Sequence, residues 1–309
     1  MRERISVTQE DQQLIAKAMR RAGRSGSHAA APTARGGSKG FEGWQEYSDD
    51  MAADVAGQLA AEGFVGLRSV ISPTAAAALS QHVDDELARR ISEAQVRDGK
   101  TDTTAAIAAH ERWFGRVLDR RSRYDLHLSV SDVPVRAALQ QLAAKLCSLL
   151  TEVATVDARV VELSSLIADP GATRQPWHPD SLLPSLVGAP LYTCFVALQP
   201  IDASMGPTRV IPRTHNVESH EKLRDEGVKG RRARESAVDA HMACGPGDAL
   251  LMDSRLWHCG GSNHSMKRRR LLYVTFGVPH CSPRGSTYSI LWELAGRLRL
   301  RHYETWGGS

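Results

Sequence analysis

The chain has 309 residues, 42% hydrophobic and 24% charged, with a formal net charge of +4, which is length enough for one large domain or two small ones. That basic excess is too small to argue for a nucleic-acid partner, and no run of about 18 apolar residues offers a membrane span. The opening "MRERISVTQEDQQLIAKAMRR" has no apolar signal core, and Cys147, Cys194, Cys244, Cys259 and Cys281 are scattered with no CxxC pair. An odd, dispersed set is the pattern of free thiols in a reducing compartment, so a cytoplasmic location is expected.

Residues 8–21 carry a short amphipathic pattern, and 22–40, "AGRSGSHAAAPTARGGSKG", are rich in Gly, Ser, Ala and Pro with no hydrophobic period. The expectation is a flexible arm and linker over 1–44 and a folded domain over 45–309. "DDMAADVAGQLAAEG" predicts a helix stopped at Gly63, and "FVGLRSV" a strand. Ser72 and Pro73 supply the N-cap and first position of a long helix, "TAAAALSQHVDDELARRISEAQ". The arginine-rich "RWFGRVLDRRSR" at 112–123 reads as a solvated helix face, or as an attractor of an acidic substrate group. "SDVPVRAALQQLAAKLCSLLTEV" has apolar residues at helical spacing. From about residue 157 the pattern becomes short β-rich runs: "ARVVELSSLIA", "PLYTCFVALQPI", "TRVIP", "DALLMD" and "LLYVTFGVP". Turn signals at Pro170-Gly171 and Gly245-Pro246-Gly247-Asp248 separate them. Helices first and strands afterwards predict an α+β domain with a sandwich or barrel of mostly antiparallel strands.

Two His-x-Asp tripeptides stand in this frame. His82 and Asp84 fall in a helical stretch, where residues two apart point to different sides, so a solvated helix face is the reading there. His178 and Asp180 fall among strands, where residues i and i+2 project from one face, roughly 7 Å apart. Pro179 biases His178 towards an extended conformation and, lacking an N–H, belongs at a strand start or edge. A third ligand is offered by His258, which follows a short strand and precedes a Gly-rich corner in "DALLMDSRLWHCGGSNHS". Two histidines and one carboxylate leave three positions open on an octahedral metal, the ligand set of non-haem Fe(II) enzymes that bind a co-substrate and O₂. Zinc more often takes three protein ligands and one water in a tetrahedron.

Beyond His258, "KRRRLLYVTFGVP" looks at first like a nucleic-acid patch, but the apolar and β-branched residues after the arginines make it a buried strand. With period-two alternation Arg269 shares a face with Leu271, Tyr273 and Thr275, and Arg268 and Arg270 share the other. An arginine entering such a core needs an anion. The far carboxylate of a dicarboxylate co-substrate would supply one, and a structural Arg–Asp pair is the alternative. Which of the three arginines points inward is left open by alternation alone.

Together these residues resemble the phytanoyl-CoA dioxygenase family of Fe(II)/2-oxoglutarate-dependent oxygenases over most of residues 50–280. The resemblance is carried by "AAEGFVGLRSVISPTAAAALSQHVDDEL", "WHPDS", "GPTRVIPRTHN" and "LMDSRLWHCGGSNHSMKRRRLL". It implies a double-stranded β-helix, a jelly-roll or cupin-like barrel flanked by N-terminal helices. It implies His178, Asp180 and His258 as iron ligands and catalytic centre, Arg269 on the 2-oxoglutarate carboxylate, and Asn263 and Phe195 beside the co-substrate. Related halogenases replace the metal carboxylate with a small residue; Asp180 is present here, which favours hydroxylation. The implied cofactors are Fe(II), 2-oxoglutarate and O₂, with ascorbate in a supporting role, and succinate and CO₂ as co-products. The expected partner is a small-molecule substrate, in a pocket drawn from Leu182, Leu183, Leu186, Phe195, Arg209 and Trp257; a homodimer is left open. A reading from a different class is a non-catalytic or zinc-bound β-barrel acting as a binding module. The tail "STYSILWELAGRLRLRHYETWGGS" is not a family hallmark, and Trp292, Leu298 and Trp306 are assigned to packing.

Overall fold

Gly63 stops the first helix by adopting φ +85°, a left-handed conformation that side chains resist. The helix, α1, runs Ala52–Glu62 and closes with the Gly63 N–H donating to the Leu59 carbonyl at 2.8 Å. The next helix, α2, spans Pro73–Asp98, and the Ser72 hydroxyl caps it by accepting the Ala75 N–H at 3.1 Å. A third, α3, covers Val133–Val153 and buries Leu139, Leu142, Leu146, Leu149 and Leu150 along one stripe. Two short helices follow, α4 at Val217–Arg224 and α5 at Val228–Ser236. These features belong to a computed structural model describing residues 39–98, 107, 111–115, 117, 122–183, 191–225, 227–237, 239–278 and 289–307.

Eleven strands among the described residues form two sheets. They are β1 Lys39–Gly40, β2 Trp44–Gln45, β3 Phe64–Leu67, β4 Arg123–His127, β5 Arg159–Ala168, β6 Tyr192–Ala197, β7 Thr208–Val210, β8 Ala240–His241, β9 Ala249–Asp253, β10 His258–Gly260 and β11 Arg269–Gly277. The larger sheet has the order β2-β3-β9-β6-β11-β5-β4 and the smaller β1-β8-β7-β10. All pairings are antiparallel except the short contacts β1–β8 and β2–β3. This is the double-stranded β-helix expected from the sequence, with helices against one side.

Alternation divides the larger sheet into two chemistries. One face sends Val65, Leu251, Cys194, Leu272, Val274 and Phe276 into the main core under α1, α2 and α3. The other carries Phe64, Leu250, Met252, Phe195, Leu271 and Tyr273, which with Val210 of the smaller sheet form the core between the sheets. Burial on both faces explains why β9 and β11 read as continuous apolar runs. The C-terminal segment packs as expected at Leu298 and Trp306, both buried, whereas Trp292 is 71% exposed.

The structure differs from the sequence reading in three places. At the end of the span assigned to the arm, Lys39 and Gly40 already pair with β8 and Trp44 with β3; residues 1–38, the amphipathic pattern at 8–21 included, lie outside the described residues. The described residues of the run at 112–123 do not form a solvated helix face. Phe114 bridges Leu126, Arg112 meets Glu293 at 2.8 Å, and Arg123 opens the buried strand β4. Asp84 is not simply solvated either, because it takes ion pairs from both Arg268 and Arg270 and so ties α2 to β11. His82 turns away to Asp132, 3.3 Å distant.

Candidate metal centre

His178 and His258 meet across an isolated antiparallel bridge. Each backbone N–H donates to the other's carbonyl, at 3.0 and 2.9 Å, so the two side chains emerge side by side. Their ring centroids are 4.5 Å apart. Pro179 has no N–H to extend this pairing, and the chain turns there. Asp180 is then fixed from behind, where Ser181 binds Ser254 through its backbone N–H and its hydroxyl, both at 2.8 Å. The Asp180 carboxylate comes back to 3.8 Å from His178 Nε2 and 3.6 Å from His258 Nε2. Ligand atoms of all three residues lie within 4.8 Å of one another.

The hydrogen bonds on the far side of each ring decide which nitrogen is free. His178 Nδ1 donates to the Pro176 carbonyl at 2.8 Å and His258 Nδ1 to the Leu256 carbonyl at 3.0 Å. Both Nε2 atoms are therefore lone-pair donors facing Asp180, the orientation that a metal-binding imidazole needs. Burial lowers the pKa of both histidines to about 4, helped at His178 by His258, so both rings are neutral near pH 7. Burial raises the Asp180 carboxyl above its ordinary value, and a nearby cation would reverse that. Two neutral imidazoles and one carboxylate with converging ligand atoms fit a divalent metal. His82 and Asp84 do not converge with any third ligand among the described residues.

Arg269 is the arginine that points inward. It is 2% exposed, its Nη1 donates to the Gly206 carbonyl, and its Nε has no acceptor. Burial, with Arg123 nearby, brings its pKa down to about 9. No carboxylate lies within ion-pair distance of it among the described residues, so it fits an anion from outside the chain. Arg268 and Arg270 leave by the other face, to Asp169 with Asp84 and to Asp84 with Gln199.

Register adds a residue the sequence reading had only as part of a basic run. Ala168 of β5 pairs with Arg269 on one side and Arg123 on the other, so two guanidinium groups flank one methyl side chain on the same face. Arg123 donates to the carbonyls of Thr173 and Gly261, at 2.6 and 2.7 Å. The signal was "SRYDLH", an alternating strand entered by an arginine just as β11 is.

Asn263 is fully buried, but its amide is used within the turn that delivers β11. Nδ2 donates to the carbonyls of Ala168 and Lys267, and Oδ1 accepts from Ser265. Phe195 lies on the inner face, with its ring 6.4 Å from His258 and 6.0 Å from Tyr273. One step further along that face lies a buried polar group. Asp125 accepts from Tyr273 at 3.0 Å and Ser289 at 2.6 Å, and burial, offset in part by those bonds, still raises its pKa to about 7. Of the other pocket residues, Trp257 is buried behind His258, Arg209 is paired with Asp239, Leu182 is 38% exposed, and Leu186 lies outside the described residues. Cys259 follows His258 directly and points to the outer face, where burial raises its thiol pKa.

The two-sheet barrel thus carries a converging His-Asp-His set that fits a metal ion and a buried arginine that fits an anion. The sequence profile of the phytanoyl-CoA dioxygenase (PhyH) family matches residues 59–271, and the chain belongs to that family. It is 32% identical to the dioxygenase FrzG of Cladobotryum sp over 116 residues, 35% of this chain and 37% of that protein. Likeness of fold extends to EctD from S. alaskensis, with a TM-score of 0.52 and 17% identity over 84% of this chain and 90% of that one. It extends also to SnoK, a non-heme alpha ketoglutarate dependent carbocyclase from nogalamycin biosynthesis, with a TM-score of 0.50 and 16% identity over 77% and 87% of the two chains.

Proposed function

We propose that the protein is an Fe(II)- and 2-oxoglutarate-dependent dioxygenase that hydroxylates a C–H bond of a small molecule, releasing succinate and CO₂. The observation that supports this most is a converging His178-Asp180-His258 set together with Arg269, a buried cation on the strand face that carries Leu271 and Tyr273 into the inter-sheet core, with no carboxylate partner among the described residues. When bound, Fe(II) and 2-oxoglutarate supply the O₂-dependent oxidising power, and the protein supplies placement and exclusion of side reactions. His178 and His258 present neutral Nε2 donors whose direction is set by the carbonyls of Pro176 and Leu256. Asp180 contributes the negative charge and occupies the ligand position that a halide would need. Arg269 takes the far carboxylate of the co-substrate, and Arg123 raises the positive potential next to it. Phe195 gives the space between arginine and metal an apolar wall.

The test is anaerobic addition of Fe(II) and then 2-oxoglutarate, which should give a visible charge-transfer absorption that His178→Ala, Asp180→Ala and His258→Ala abolish. Succinate release across a metabolite library then identifies the substrate. A protein that holds zinc, gives no such absorption and makes no succinate with any substrate would be the binding module instead.

A further inference from the structure

A cleft of about 400 Å³ lies at the β10 end of the smaller sheet, where residues 175–178 pair along that strand, and its lining includes Arg174, Trp177, Arg224, Arg234, Glu235 and Trp257. Alternation from the His178–His258 bridge turns Trp177 and Trp257 away from the metal ligands, so they form the cleft's outer wall. His178 and Pro179 form the rim it shares with the candidate metal centre.

Three observations say what this cleft is built to hold. Its charge is one-sided, with three arginines against Glu235. None of the three meets a carboxylate among the described residues. Arg174 reaches only the Cys259 sulfur at 4.0 Å and leans over Trp177 at 5.9 Å; Arg224 reaches the Leu183 carbonyl at 3.5 Å; Arg234 donates to the carbonyls of Leu223 and Asp225. Secondly, the Trp257 indole is 4% exposed and its N–H has no acceptor among the described residues. A buried donor left unpaired is unfavourable, and a small rotation of the indole towards the cleft would let a bound oxygen satisfy it. Thirdly, the wall is held in place before anything binds. Buried His220 packs edge-on to Trp257 at 5.9 Å, accepts the Leu183 N–H at 3.1 Å and donates to the Arg255 carbonyl at 2.7 Å. Arg234 fastens α5 to the end of α4 in the same way.

We propose that this cleft binds the acidic end of the substrate, and that the substrate is a carboxylic acid with a flat apolar body. The carboxylate is held by Arg174 and Arg224 and accepts the Trp257 N–H, while the body lies against the tryptophan faces and reaches the metal centre around the His178 edge. Bidentate guanidinium forks suit a planar carboxylate. The assignment as substrate rests on the oxygenase reading above; the anion site itself does not.

The experiment uses the full chain and the probes 2-naphthoate and 2-naphthamide, which share a ring system and differ in charge. Titration calorimetry of the metal-free protein should give a Kd for the acid at least about tenfold below that for the amide, the size of one charged hydrogen bond. Arg174→Ala and Arg224→Ala should each remove most of that difference, whereas Arg269→Ala, in the separate co-substrate region, should keep it. Trp257→Phe should weaken the acid while leaving the fold intact. Equal binding of acid and amide, binding of neither, or full affinity in both Arg174→Ala and Arg224→Ala would each overturn the site. With Fe(II) and 2-oxoglutarate added anaerobically, 2-naphthoate should shift the charge-transfer band. A band that forms but ignores bound 2-naphthoate overturns the substrate assignment. Absence of any band counts against the oxygenase reading and leaves the calorimetry standing.

Discussion

At the scale of single residues, Arg269 and Asp125 make the sharpest predictions. Arg269→Ala should raise the KM for 2-oxoglutarate by roughly 10- to 200-fold, the loss of a charged hydrogen bond worth about 1.5–3 kcal/mol. Arg268→Ala and Arg270→Ala should leave that KM near wild type, because their ion pairs lie on the opposite face. Titration of succinate release with saturating iron decides, and a rise for either neighbour with none for Arg269 would misplace the co-substrate. Asp125 predicts a pH effect. Its folded pKa, about 7, stands above the ordinary 3.8, so between those values the folded state keeps a proton that the unfolded chain has released. Stability from this group is then full below about pH 4 and lost as pH rises through 7. Urea unfolding should show Asp125→Asn more stable than wild type at pH 8, by roughly 1–3 kcal/mol, with the advantage gone by pH 5; parallel profiles would show that Asp125 ionises freely. The metal-ligand candidates were legible in the sequence because His178 and Asp180 are neighbours around Pro179, although only His178 is bridged and Asp180 lies past the turn. The polar set around Asp125 was not, since Tyr273 and Ser289 reach it from positions about 150 residues away in the chain.

At the scale of elements, α2 is joined to β11 by a single carboxylate. Hydrogen bonds from Arg270 and Arg268 outweigh burial and hold Asp84 below its ordinary pKa. Asp84→Ala leaves both guanidinium groups short of a partner, and it should lower stability by about 1–3 kcal/mol while leaving metal affinity unchanged. Thermal unfolding and a metal titration on the same variant separate those effects, and a loss of metal binding would mean that the helix positions the centre. The helices were easy to read because their boundary residues, Gly63, Ser72 and Pro73, act locally. Strands β1, β2, β8 and β10 were harder. With two or three residues each they have no period to detect, and only pairing partners distant in sequence define them. Strand β4 was hidden for another reason. Its arginine suggested solvent, and only the register with Ala168 shows that it enters the interior.

At the scale of the whole molecule, the core that carries the fold and the centre that would carry the chemistry lie on opposite faces of one sheet. Helices α1, α2 and α3 pack on the outer face, and His258 projects from the smaller sheet across the interior. Chelation should therefore leave the circular dichroism spectrum unchanged. Added Fe(II) or Mn(II) should raise Tm by a few degrees through preferential binding to the folded state, about 2.7 kcal/mol at a hundredfold excess over Kd. Collapse of the spectrum on chelation would make the metal structural. No helix among the described residues is long and apolar enough to cross a membrane. The cysteines add a chemical consequence. Burial raises the thiols of Cys194 and Cys244 to about 12 and lifts that of Cys259, next to His258. The thiolate is the form that oxidants and alkylating agents attack, so burial holds these three sulfurs in their inert state. If the centre holds iron as proposed, ageing in air should then proceed through the metal rather than through these three sulfurs, and fresh ferrous ion should restore an activity that a thiol reductant does not.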